Sequence, residues 1–164
     1  MEQTKKALGV VGKTEILALT VAAVFGMFAF SNSVWFGLNF IEDPALEVMG
    51  GAFVEEIFKF LAVVIAYLPF RKKVNPLVIA FSVAISFALI ENAIFSIANP
   101  NLRLFPMLMH LISTLLSVSS IVITERRGWV TGLWVVPVFL LLAFLFHLSY
   151  NAIVINEWYK ILLY

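Results

Sequence analysis

Five long apolar runs, separated by short polar connections, leave this chain few ways to fold. The runs cover residues 15–36, 52–70, 76–98, 105–124 and 132–155. Each is close to the ~20 residues that one helix needs to cross a hydrocarbon layer of about 30 Å. The expected fold is therefore all-α, a polytopic membrane helix bundle of about five transmembrane helices forming a single integral-membrane domain over residues 1–164. Composition agrees, since 62% of the residues are hydrophobic, only 13% are charged and 16 are Phe, far from the usage of an average soluble domain.

Several function classes drop out early. A net charge of +1 with no basic patch interleaved with aromatics gives no footprint for nucleic acid. The absence of cysteine removes disulfides, thiolate-bound zinc and thiol nucleophiles together. The first run, although preceded by Lys5, Lys6 and Lys13, is longer than the ~7 to 15 apolar residues of a signal peptide and reads as a first membrane helix.

Orientation follows from where the cations lie. Lys5, Lys6 and Lys13 precede the first run, Arg71, Lys72 and Lys73 follow the second, and Arg126 and Arg127 follow the fourth. The opposite side carries only Arg103 and Lys160, with an acidic connection holding Glu42, Asp43 and Glu47. By the positive-inside rule the N-terminus is expected in the cytoplasm, in a multi-pass protein of a cell membrane.

The anomaly is inside the runs. Glu55, Glu56 and Lys59 sit in the second and Glu91 in the third. At roughly 2.5 to 3.5 kcal/mol for an ionisable group at the bilayer centre, the four could cost about 10 kcal/mol, comparable to the net stability of a whole domain. Pairing of Glu55 with Lys59 at i, i+4 lowers that figure. Counting in from the outer ends of the runs at ~1.5 Å per residue puts Glu55, Glu91, His110 and His147 at a similar depth, roughly 6 to 13 Å below the outer boundary. On the second run Ala52, Glu55, Lys59, Ala62 and Ala66 share a face, from which Glu56 points about 100° away. Glu91 and Asn92 continue the stripe of Ala84 and Ala88, His110 shares its face with Ser113, Thr114 and Ser117, and His147 stands one turn from Asn151, with Tyr150 beside them. Ser31, Asn32 and Ser33 are further candidates to face the interior, while Trp35, Trp129, Trp134 and Trp158 suit interfacial anchors. The expected site is a polar, partly hydrated cavity open toward the outside.

Carboxylates, two imidazoles and an amide suit hydrolysis by an activated water. Glu55 or Glu56 would activate the water, Glu91 and His110 would tune it, and His147 and Asn151 would stabilise the oxyanion, with Lys59, Asn92 and Tyr150 in support. The same groups can ligate a metal: His110, His147 and Glu55 are the candidate ligands and Zn²⁺ the candidate ion. No H-E-x-x-H pattern is present, and the ligands would come from separate helices.

Glu55-Glu56-x-x-Lys59, Phe87 with three residues before Glu91 and Asn92, Arg103 with six before His110, and His147 with Tyr150 and Asn151 together resemble the PrsW family of intramembrane proteases. The wider superfamily that the chain resembles includes the CAAX prenyl endopeptidases and bacteriocin-immunity type membrane proteins. The resemblance covers the second to fifth runs. It implies an endopeptidase acting on a membrane-anchored protein substrate, such as an anti-sigma factor, near the extracytoplasmic face. Glu55 and Glu56 match the essential glutamate pair, Glu91, His110 and His147 match the other polar positions, and His147 with Asn151 resembles the His-x-x-x-Asn of the prenyl endopeptidases. Lys59, in place of an Arg one position later, and Glu91, in place of a histidine, depart from those enzymes and argue against prenylated substrates. Glutamic and metal-dependent mechanisms both remain open on these residues. The competing classes are a small ion- or proton-coupled transporter or channel, which would use the same acids as relay groups, and a non-catalytic immunity-type protein.

Overall fold

The computed structural model describes residues 12–40, 44–95 and 104–163, with side chains over 12–36, 49–94 and 105–153. Glu42, Asp43, Arg103 and the side chains of Glu47, Trp158 and Lys160 lie outside the described residues. Among the described residues five α-helices follow one another: α1 (Lys13–Phe40), α2 (Pro44–Tyr67), α3 (Pro76–Phe95), α4 (Leu104–Arg127) and α5 (Trp129–Leu163). A 3₁₀ turn, Leu68–Phe70, extends α2. The protein is thus an all-helical, polytopic membrane protein. Four helices, α1, α3, α4 and α5, are long and apolar enough to cross a membrane, and the 24-residue α2 is set apart by its charges.

The helices start and stop for local reasons. Pro76 opens α3, where its missing N–H costs nothing, and the Asn75 side chain caps that end by accepting from the Leu77 N–H at 2.9 Å. Gly128 alone separates α4 from α5. Its φ of +93° is easy only for glycine, and its N–H closes α4 on the Thr124 carbonyl at 2.8 Å. The acidic stretch expected to be a loop up to Gly51 is helical from Pro44 onward, because proline is pre-organised for the first helical position.

The bundle is built on small residues. α2 touches all four other helices, α1 packs on α2 and α3, and α4 packs on α3 and α5. Ala18 and Ala22 of α1, Ala62 and Ala66 of α2 and Ala80 of α3 are buried at the core, which lets helices approach closely where no hydrophobic effect drives them together in lipid. A close approach is at Gly26, where an added Cβ would stand 2.0 Å from Ser86 Oγ and 2.5 Å from the Val83 carbonyl. Outward faces carry large apolar side chains such as Phe28, Phe81, Leu133 and Leu145, as lipid contact requires. Trp35, Trp129 and Trp134 are among the exposed residues. Ser31 and Asn32, expected to face inward, are exposed and donate instead to carbonyls four residues back, which satisfies them within their own helix. Ser33 is buried.

Candidate active site

Six ionisable side chains from four of the apolar runs, Glu55, Glu56, Lys59, Glu91, His110 and His147, meet in one place. Lys59 of α2 is fully buried, and its ammonium donates to three acceptors: Glu56 Oε1 at 2.5 Å, His110 Nδ1 at 3.1 Å and Ser113 Oγ at 3.2 Å. All three of its N–H groups are thereby satisfied. Its charge also lies 5.2 Å from the centre of the Phe87 ring, within cation–π reach. The expected Glu55–Lys59 pair is replaced by Glu56–Lys59 at i, i+3, since Glu56, at 1% exposure, is the acid turned into the bundle. Glu55 keeps 26% of its side chain exposed.

The two imidazoles are held in opposite tautomers. A carboxylate only accepts, so His147 Nδ1 carries the proton that it donates to Glu56 Oε1 over 2.8 Å. Its Nε2 lone pair is left open, 3.8 Å from Glu55 Oε2. An ammonium only donates, so His110 Nδ1 is the acceptor for Lys59, and His110 Nε2–H donates to Glu91. The rings stand edge to face, 5.2 Å apart between centroids, and Phe87 packs against His110 at 4.9 Å. Glu91, at 22% exposure, and Glu55 form the rim of the cluster.

The structure therefore brings together Glu55, Glu56, Lys59, Glu91, His110 and His147 from α2, α3, α4 and α5. Asn92 flanks Glu91, while Tyr150 and Asn151 continue α5 beyond His147; all three are half-buried. Ser113 and Phe87 appeared in the sequence as a face neighbour and a motif position, without a role. The spacing of Ser113 three residues after His110, on the same face, is the signal that could have placed it on Lys59.

A metal ion fits this donor set with His110 in its other tautomer, Nδ1 protonated and the Nε2 lone pair presented where Glu91 now accepts. One ligand atom each from Glu55, His110 and His147 lies within 4.8 Å of the other two. Glu55 Oε2 is buried with no hydrogen-bond partner among the described residues, and such orphaned oxygens are costly unless something meets them. His147 Nε2 offers its lone pair toward the same spot, and the Glu56 hydrogen bond on its other nitrogen is the usual outer support of a ligating histidine. Two imidazoles and a carboxylate are a familiar zinc set.

A helical membrane protein with a buried carboxylate–imidazole centre that can hold a metal has the chemistry that intramembrane hydrolytic enzymes need. The model of the PrsW family of intramembrane metalloproteases matches residues 2–164, nearly the whole length, and the chain belongs to that family. No curated protein matches it, and no solved structure does.

Proposed function

We propose that the protein is an endopeptidase that cleaves membrane-anchored protein substrates near the extracytoplasmic face of a prokaryotic plasma membrane, anti-sigma-factor-like proteins being candidate substrates. The observation that carries this reading is the convergence of Glu55, Glu91, His110 and His147 around one point, backed by Glu56 and Lys59. Along α2, α3, α4 and α5 the cluster lies some 22 to 27 Å from the ends that carry Arg71, Pro76, Arg126 and Trp129, at ~1.5 Å per residue. That distance supports a site nearer the acidic, extracytoplasmic side of a layer about 30 Å thick.

Glu55 Oε2, His147 Nε2 and, in its Nδ1–H tautomer, His110 Nε2 would hold a divalent ion, Zn²⁺ by donor type, which when bound supplies Lewis-acid activation of water; Lys59 then keeps Glu56 and Ser113 as acceptors. Glu91 is the rim carboxylate left to move protons. It takes one from the attacking water as the water oxygen bonds to the peptide carbonyl carbon, then delivers it to the amide nitrogen as the C–N bond breaks. Glu56 is too enclosed for that work; it is a positioning residue, fixing the His147 tautomer while Lys59 balances its charge. With His147 Nε2 acting as a lone-pair donor, the oxyanion falls to the Asn151 amide, one turn further along α5.

The test is cleavage of a single-span substrate in proteoliposomes, with metal content measured on the same samples. Glu55→Gln and His147→Ala are expected to lose both metal and activity, whereas Glu91→Gln keeps the metal and loses about 10²-fold or more in rate. Full activity in all three variants would refute the assignment.

A further inference from the structure

The opposite end of the bundle carries a second polar site. There the chain turns from α2 into α3 through Arg71, Lys72 and Lys73, next to Arg126 and Arg127 at the end of α4. Among the described residues five cations stand against one local carboxylate, Glu125, which is already engaged: its Oε1 accepts from Arg71 Nε at 2.8 Å and its Oε2 from Tyr67 Oη at 2.9 Å. Lys72, Lys73 and Arg126 take part in no ion pair among the described residues. These three line a cavity of about 360 Å³ with Tyr67, Asn75 and Glu125. Lys72 adopts φ +69°, a left-handed conformation uncommon for residues other than glycine, so the turn accepts some strain where it presents this lysine.

A second hollow, of about 260 Å³ and lined from α2, α4 and α5, shares Tyr67 and Glu125 with the first. Phe60, Val64, Leu68, Ile121 and Val136 line it, and its apolar wall runs along α2, α4 and α5 into the membrane-spanning part of the bundle. A cationic cavity at a helix end, sharing Tyr67 and Glu125 with an apolar groove that descends beside the helices, has the polarity of an amphiphile with an anionic head. We propose that this site binds an anionic phospholipid, its phosphate between Lys72, Lys73 and Arg126 and an acyl chain along the groove. A free phosphate ion would use the same cations without needing the groove, and the groove decides for the lipid.

The experiment uses the full chain in nanodiscs of phosphatidylcholine containing phosphatidylglycerol, extracted gently so that retained lipid can be counted by mass spectrometry. Wild type is expected to retain phosphatidylglycerol well above its bulk share. Lys72→Gln/Lys73→Gln/Arg126→Gln should lose about a hundredfold in lipid affinity and with it the enrichment, since each basic side chain near an anionic surface contributes about fivefold in binding. Lys13→Gln, an exposed cation on α1, should change it little. Lys72→Gln alone, on an exposed turn, provides a variant with minimal risk to folding and should lose about fivefold. Val64→Trp, filling the groove, should lower retention without removing any charge. Addition of inorganic phosphate should leave the lipid in place. Enrichment that is absent in wild type, unchanged in the triple variant, or abolished equally by inorganic phosphate would overturn the proposal.

Discussion

Replacing Lys59 by Met removes the charge at the centre of the site while keeping most of the side chain's bulk. In the wild type Lys59 and Glu56 are 0% and 1% exposed, so the variant strands a carboxylate that water cannot reach and that keeps only the His147 bond. Breaking one side of such a buried pair costs about 3 to 5 kcal/mol. For a chain of this size, at about 2 to 4 °C per kcal/mol, the melting temperature in detergent should fall by roughly 6 to 20 °C. The loss comes mainly from the orphaned acid and only in part from the missing contacts, so the double variant Lys59→Met/Glu56→Gln should recover at least half of it. Thermal unfolding of both variants, monitored by circular dichroism in one detergent, measures the two numbers. A single variant that melts within ~2 °C of wild type, below what 1 kcal/mol would give, would refute the reasoning, and so would a double variant no more stable than the single. Activity should be lost in both, because His147 no longer has a carboxylate partner in the double and Glu56 is unbalanced in the single.

Contrast comes from the exposed ion pair at the other end. Arg71 is 56% exposed against Glu125, and Arg71→Ala should shift stability by no more than about 1 kcal/mol in the same melt. At the α1–α3 contact, Gly26→Leu should destabilise by about 1 to 3 kcal/mol through overpacking, because even a Cβ there meets Ser86 and the Val83 backbone; wild-type melting in that variant would show the helices are not held that close.

Much of the site could be read from the chain because ionisable residues in apolar runs are expensive and therefore conspicuous. Counting along helices at a fixed rise was enough to put Glu55, Glu91, His110 and His147 at one level. The choice between Glu55 and Glu56 as the partner of Lys59 was not readable in the same way. Both i, i+3 and i, i+4 pairs are allowed on a helix, and the decision is made by His147, 91 residues further on, which turns Glu56 inward. The start of α2 was misread for a related reason: Glu47 and its acidic neighbours look like a solvated loop by composition, while the helix begins with Pro44. Ser31 and Asn32 show the limit of reading polarity as burial, since hydroxyl and amide groups can bond back to their own helix and face outward.

The single glycine between α4 and α5 gives the site a mechanical property. Those two helices form one hairpin, and the hairpin carries both imidazoles, whereas the glutamate pair and Lys59 ride on α2. Prising the hairpin away from α2 would sever the Lys59 bonds to His110 and Ser113 and the Glu56 bond to His147 in one movement. On the proposed function, docking of the hairpin and assembly of the carboxylate–imidazole cluster are therefore a single event, and a chain whose helices have inserted but not yet clasped is expected to be inert toward the surrounding membrane proteins.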